Sequence, residues 1–431
     1  MKQLLPADSL ANRISFYHLL LLLVSLPFNL FYSHIILISF AVHVLIQLNR
    51  KRFLSIFRWQ TLLLQLVFII TLFSSIYSIN KPQALNQVSL QLPILLIPIV
   101  FTLSGFDFKR YRQSLLLGFS AICTLTVIYL FWDAFRTIRF YKLPFTVLFS
   151  AAFTNHNFSE PIDMHATFFS MQLVIALVYL LAIIAGRNTT RLKIFCGICS
   201  VVLIAGLFQL CSKSALFSLF ISVCVAFPFF MFKGKQRVRY AVALWILALL
   251  AGIGAFKVKA FKERYFNELK ADLSKPVAGE SVEPRLARWH VVMELIKTAP
   301  VIGHGAGSET GLLHEAFYQK KYYNSFINNL NAHNQYLSFL LQSGMIGLIV
   351  YLFTLLYGFK FALSNKDLLF FTFMVLLAIV SLSEDYLAVD KGVFFYAVFF
   401  SFFVFSNSKN TTKQPVIQQD KFSLAGNLAA V

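Results

Sequence analysis

The chain has 431 residues, of which 58% are hydrophobic and only 13% charged, with 49 phenylalanines. Its repeated apolar runs exceed what a soluble core needs and match a hydrocarbon thickness of about 30 Å at about 1.5 Å per residue, which excludes a soluble globular protein and predicts an all-α polytopic membrane protein. The formal net charge of +20 reflects topology, because basic residues gather in short links between apolar runs; no basic cluster with interleaved aromatics marks a soluble domain, so the bilayer is a partner and nucleic acid is not.

In chain order, hydropathy predicts about twelve transmembrane helices, near 14–30, 31–48, 60–79, 88–104, 114–132, 164–185, 194–211, 214–232, 240–256, 344–363, 368–383 and 393–407. Pro27, Asn29 and Ser33 must reverse the first pair almost without a loop. No small-residue cleavage site follows the first run, which therefore reads as a retained anchor. The links bearing Arg50/Lys51/Arg52/Arg58, Lys109/Arg110/Arg112, Arg187/Arg191/Lys193 and Lys233/Lys235/Arg237/Arg239 all fall on one side, which is cytoplasmic by the positive-inside rule. Both termini then lie inside. The expected division is an N-terminal bundle over 1–256, an outer loop over 257–343, C-terminal helices over 344–407 and a polar, disordered tail over 408–431.

Two outer segments are long. One, about 133–163, carries Arg136, Arg139, Lys142 and His156. The other holds 11 Lys/Arg against 8 Asp/Glu between 257 and 333 and is too long to be a simple connector. Within it Pro284 opens a predicted helix whose stripe of Leu286, Trp289, Val292, Met293 and Ile296 faces the bundle or the membrane surface, leaving Arg285, Arg288 and Glu294 to other faces. Pro300 stops that helix, Gly303 to Gly307 make a tight turn, and a second amphipathic helix runs from Glu309 to Tyr323.

The chemistry-bearing residues sit at the outer boundary. His333, in Asn331-Ala332-His333-Asn334-Gln335-Tyr336, lies where the polar loop meets an apolar helix; ionisable groups at a membrane edge are costly and are functional candidates for that reason, and imidazole titrates near neutrality. Lys213, in Cys211-Ser212-Lys213-Ser214, occupies a short outward link, where it either snorkels to the interface or binds an anion. Arg285 offers a planar fork suited to phosphate oxygens, with Arg288 on the same helix. Asn334 either orients His333 or caps the following helix. His165 opens a span at the outer face. Glu384 and Asp385 either are solvated loop carboxylates or balance the cations and bind sugar hydroxyls. Cys196-Gly197-Ile198-Cys199 has redox spacing but falls inside an apolar helix and reads as packing. No metal-ligand pattern and no nucleotide fingerprint is present, and no cytoplasmic segment is large enough for a nucleotide site; no cofactor is predicted, so any donor must arrive already activated.

The run His333-Asn334, nine residues, Gly344, two residues, Gly347, preceded by Arg285-x-x-x-Trp289 and Pro300-x-x-Gly303-x-Gly305, resembles the bacterial O-antigen ligase and polymerase superfamily. The resemblance implies an inner-membrane glycosyltransferase of about twelve spans with one large periplasmic loop and no metal. Its donor would be a glycan on undecaprenyl diphosphate, its acceptor lipid A–core or another glycan. On that pattern His333 matches the essential histidine and Arg285 the diphosphate-holding arginine. Lys213 stands, in Ser212-Lys213-Ser214-Ala215, where the family usually has arginine. Ligase, polymerase and protein-directed ligase share donor and loop; the Arg–Trp–Gly–His run leans to ligase. A transporter or flippase is the reading of a different class, against which stands the lack of a two-half repeat.

Overall fold

The computed structural model describes residues 8–48, 50–257, 262–268, 270 and 283–408, so the expected disordered tail lies, beyond Ser408, outside the described residues. The described residues are helical and contain no strand. The bundle comprises α1 (Leu10–Ser25), α2 (Leu30–Ile46), α3 (Trp59–Ile76), α4 (Lys81–Leu90), α5 (Leu92–Ser104), α6 (Phe108–Phe140), α7 (Ala166–Ala185), α8 (Thr190–Leu210), α9 (Lys213–Ile221, continued through a wide turn at Ser222–Ala226 to Met231) and α10 (Gly234–Lys257). The loop contributes α11 (Arg285–Ile296), α12 (Glu309–Gln319) and α13 (Tyr323–Ile327), and the chain closes with α14 (Gln335–Ser364), α15 (Leu368–Val380) and α16 (Asp390–Asn407).

Each predicted span falls on one of these helices. Among the described residues, eight segments are long and apolar enough to cross a hydrocarbon core alone, while α1, α2 and α15 are shorter apolar helices. The helices start where a side chain can satisfy their free N–H groups. Asn29 accepts from Phe31 N, Asn80 from Gln83 N, Asp107 from Arg110 N, and Asn334 from both Tyr336 N and Leu337 N. Two expectations change. The segment from 133 is helical as far as Phe140, so Arg136 and Arg139 extend α6 instead of lying in a loop. The helix expected from 344 begins at Gln335, because Asn334 caps it nine residues earlier.

The amphipathic helix also turns a different face inward. Ala287, Arg288, Val291, Val292 and Ile296 are buried, whereas Leu286 and Met293 are exposed. The stripe read from apolar residues alone missed this because the short Ala287 lets α11 approach α14 and α12 closely, carrying the Arg288 stem inward with it.

Three helices, α7, α9 and α15, pack on one another. As α8 returns the chain between α7 and α9, His165 before α7, Lys213 at the start of α9 and Ser383 after α15 share one end of the bundle. Helix α10 stands apart: none of its 234–254 segment is buried, and it touches its neighbours through Trp245 on Phe220 and the Leu244 carbonyl near Cys224 Sγ.

At the end that carries His333, the loop is locked onto a break in α14. Gly344 has φ 63° and ψ −161°, a backbone state closed to other residues at low cost. The break frees backbone groups that the turn at 300–305 satisfies. His304 N donates to Leu341 O (2.9 Å), Gly305 N to Gln342 O (2.8 Å), Met345 N to Pro300 O (2.9 Å) and Ile346 N to Val301 O (3.3 Å). A Cβ on Gly303 or Gly344 would overlap the opposing backbone, so the chains meet this closely only because both positions are glycine.

At the opposite end, Asp367 caps α15 and closes a clamp. Its carboxylate meets Arg112 at 2.6 Å and accepts from Asn407 Nδ2 at 2.5 Å and from the Leu369 and Phe370 amides at 3.1 Å. The Arg112 guanidinium also lies over the Phe403 ring.

Candidate functional site

Both backbone groups of Ala332 are held. Its N–H donates to Glu309 Oε1 (2.9 Å) and its carbonyl accepts from Trp289 Nε1 (2.8 Å), so the tryptophan of the Arg-x-x-x-Trp run fixes the residue next to His333. The following residue has φ 45°, an uncommon state for a histidine, and Asn331 Oδ1 accepts its N–H at 3.0 Å. Asn334 then starts α14, with its Nδ2 at 3.5 Å from the Leu382 carbonyl. Of the two readings of Asn334, the observed geometry is that of the helix cap.

The turn after α15 supplies the other wall. Gln335 N donates to Ser381 O (2.8 Å), Leu387 N to Gln335 Oε1 (2.8 Å), and Arg285 Nη1 to Ser383 O (3.2 Å). These bonds bring Glu384 beside His333, with Nδ1 and Oε2 3.7 Å apart, and Thr167 Oγ1 donates to the other oxygen, Oε1, at 3.2 Å. Burial alone would raise the Glu384 pKa, but the contact with His333 and the fields of His165 and Arg285 outweigh it and hold the group below the usual carboxylate range. The geometry therefore gathers His333, Arg285, His165 and Glu384. His165 Nδ1 accepts the Thr167 N–H, and burial pushes its pKa down to about 4.

Lys213 lies at the same end of the bundle, with Nζ 3.6 Å from a Glu268 carboxylate oxygen. Arg288 is buried in α11. His304 bonds the Leu295 carbonyl and Thr298 at 3.1 Å, and His314 stacks on Phe326; both act inside the loop. The five cysteines are buried and free, and no group of three or more His, Cys, Asp or Glu among the described residues could hold a metal.

Three contributors were missed from sequence. Glu309 read only as a helix start, yet it accepts from Ala332 N, Ser338 Oγ (2.5 Å) and Gln342 Nε2 (3.0 Å). Thr167 carried no signal. Helix α4 was folded into a link between spans, although the Asn80 cap, Pro82, and the polar spacing Gln83, Asn86, Gln87 mark a short helix with one amide face. Two larger cavities, of about 610 and 750 Å³, lie at the opposite end around Arg58 and around Arg112; size is a poor guide here, because the convergent ionisable groups are elsewhere.

The chain is similar to known proteins over part of its length. A protein of Haemophilus influenzae, described only as uncharacterized, is 26% identical over 152 residues, which is 34% of this chain and 38% of that protein. The chain thus spans well under half the length of that relative. A family model described as O-antigen ligase matches residues 198–352, a segment holding Lys213, Arg285, Trp289, Glu309 and His333. Over that segment, about a third of the chain, the sequence is similar to the O-antigen ligase family.

Proposed function

We propose that the protein is a ligase-type glycosyltransferase of the bacterial inner membrane. It moves a glycan from undecaprenyl diphosphate to an acceptor hydroxyl, that of lipid A–core, at the periplasmic face. The observation that carries this reading is the pairing of His333 with Glu384 directly beside Arg285, at the membrane-boundary end of the bundle. A partly buried carboxylate 3.7 Å from Nδ1 favours the tautomer with its proton on Nδ1 and a free lone pair on Nε2. Nε2 takes the proton of the acceptor hydroxyl as that oxygen bonds the anomeric carbon. The bond from that carbon to the diphosphate oxygen breaks, and the lipid diphosphate leaves with the electron pair. Glu384 balances the imidazolium that forms. Arg285 and Lys213 are the cations that receive the departing charge, while the isoprenoid tail stays in the bilayer.

The leaving group is already activated, so the step draws on positioning and charge stabilisation. Asn334 and Arg288 support it by fixing the histidine loop and α11. Deleting the gene and restoring wild type or His333→Ala tests the reading through the sizes of surface lipopolysaccharide and carrier-linked glycans. Loss of the surface ladder with long chains accumulating on the carrier is the expected result. Accumulation of single repeat units makes the protein a polymerase, and normal patterns with His333→Ala overturn the catalytic role.

A further inference from the structure

Next to the His333 loop, between α4, the start of α12 and the turn after α15, lies a chamber of about 170 Å³. Gln83, Asn86, Gln87, Glu309, Gln342 and Asp385 line it, with Asn331 at two residues' remove from His333. Two facts set its chemistry. The lining carries no Lys, Arg or His, so it is not built for a diphosphate. It does carry amides and carboxyl groups side by side, which present donors and acceptors in the mixture that ring hydroxyls require.

The second fact is an unmatched atom. Asp385 is only 4% exposed, and its Oδ1 is buried with no hydrogen-bond partner among the described residues. Such an atom is rare in folded proteins and calls for a cause. Burial, reinforced by the nearby Glu309, pushes the Asp385 carboxyl well above the usual carboxylate range. Glu309 is the counterpart, both of its oxygens accepting hydrogen bonds. Asp385 also follows Glu384 directly, so the chamber adjoins the His333–Glu384 pair through consecutive residues.

We propose that this chamber is a monosaccharide subsite, holding the hydroxyls of the sugar ring adjacent to the bond made or broken, whether that ring belongs to the donor glycan or to the acceptor. The proposal rests on the glycan-transfer reading above. Gln83 and Asn86 are exposed on α4, whose buried residue is Ala84, so their replacement leaves the packing of that helix intact.

The test uses full-length protein in lipid nanodiscs carrying Gln83→Leu, Asn86→Leu or both. The donor is undecaprenyl-diphosphate glycan extracted from the host, and the acceptor is lipid A–core extracted from the deletion strain; each is varied in turn. The KM for one substrate is expected to rise about three- to tenfold per side chain removed, with kcat falling by less than twofold. A rise for the donor assigns the ring to the donor glycan, and a rise for lipid A–core assigns it to the acceptor. Wild-type KM values for both substrates in the double variant overturn the subsite. Absence of transfer by the wild-type protein overturns the proposed reaction instead. In that case binding of water-soluble core oligosaccharide and acid-released glycan decides the chamber: weaker binding by the double variant supports it, and equal or absent binding by both proteins overturns it.

Discussion

Asp367 and Asp385 flank the same helix, α15, and both are almost fully buried, yet their surroundings are opposite. At one end every lone pair of Asp367 has a donor: Arg112, Asn407 and two backbone amides. Burial would raise its pKa, but the Arg112 charge together with the hydrogen bonds from Arg112, Asn407 and the Phe370 amide outweighs that and brings it below the ordinary value. At the other end Asp385 keeps an unmatched oxygen, faces Glu309 rather than an arginine, and has its pKa raised. A satisfied buried acid is a fastener, whereas an unsatisfied one stores a demand that a ligand can meet. The contrast separates a structural end of the bundle from a chemical one.

The largest expected effect tests the chemical end. His333→Ala should lower transfer by about 10²–10⁴-fold, the span of a lost general base, while leaving the unfolding midpoint in detergent close to wild type. The converse variant is Asp367→Ala, which strands Arg112 in a buried position and should destabilise the protein by about 3–5 kcal/mol, with turnover per folded molecule retained. If Asp367→Ala abolishes turnover in the folded protein, the division between the two ends fails. Next comes Glu384→Gln, which keeps the size but loses the charge facing His333; kcat should drop about 10- to 100-fold, and an unchanged kcat would remove Glu384 from the site.

A smaller effect sharpens the comparison through pH. Asp367, its pKa lowered, stabilises the fold above the ordinary value of 3.8, and that contribution is lost as pH falls through the folded value. Asp385, its pKa raised, contributes fully below 3.8 and loses that contribution as pH rises towards its folded value. Asp367→Asn should therefore reduce stability mainly at neutral pH, with the deficit closing in acid. Asp385→Asn should become more stable relative to wild type as pH rises from 4 to 8 (approximate bounds set by carboxyl titration). Unfolding midpoints across that range check both signs. The smallest effect is Thr167→Val, which removes one hydrogen bond to Glu384 and should lower kcat about two- to tenfold; an effect as large as that of Glu384→Gln would make the threonine more than a partner of the carboxylate.

Much of the fold was legible because membrane spans follow from composition over long windows, and windows near 60–79 or 164–185 contain no Asp, Glu, Lys or Arg. The loop helices were legible from Pro284 and from three- and four-residue spacing, and His333 from its position between a polar loop and an apolar run. What escaped was convergence. Glu384 lies 51 positions after His333 and Thr167 lies 217 positions before Glu384, and no local pattern announces that α7 and α15 pack together. Glu384 and Asp385 looked alike as neighbours at the end of a span; only the fold gives one a histidine and the other a chamber lined by amides. The buried face of α11 escaped for a related reason, since the partner's shape, and not the helix's own polarity, chose Ala287 and Arg288 over Leu286 and Met293.

The four backbone hydrogen bonds that tie the turn at 300–305 to the Gly344 break have a consequence for assembly order. The turn is synthesised before its partner, and these four bonds cannot close until α14 has been inserted into the bilayer, whereas the bonds from Ile79 N to the His304 carbonyl and from the Tyr77 hydroxyl to the Ile302 carbonyl join it to earlier chain. Helix α14, for its part, enters with a gap in its own ladder that only the waiting turn can fill, and such a gap is costly in hydrocarbon. Insertion of α14 and closure of the turn onto it are thus one event, and a nascent chain halted before that helix would display the turn at 300–305 without these four bonds.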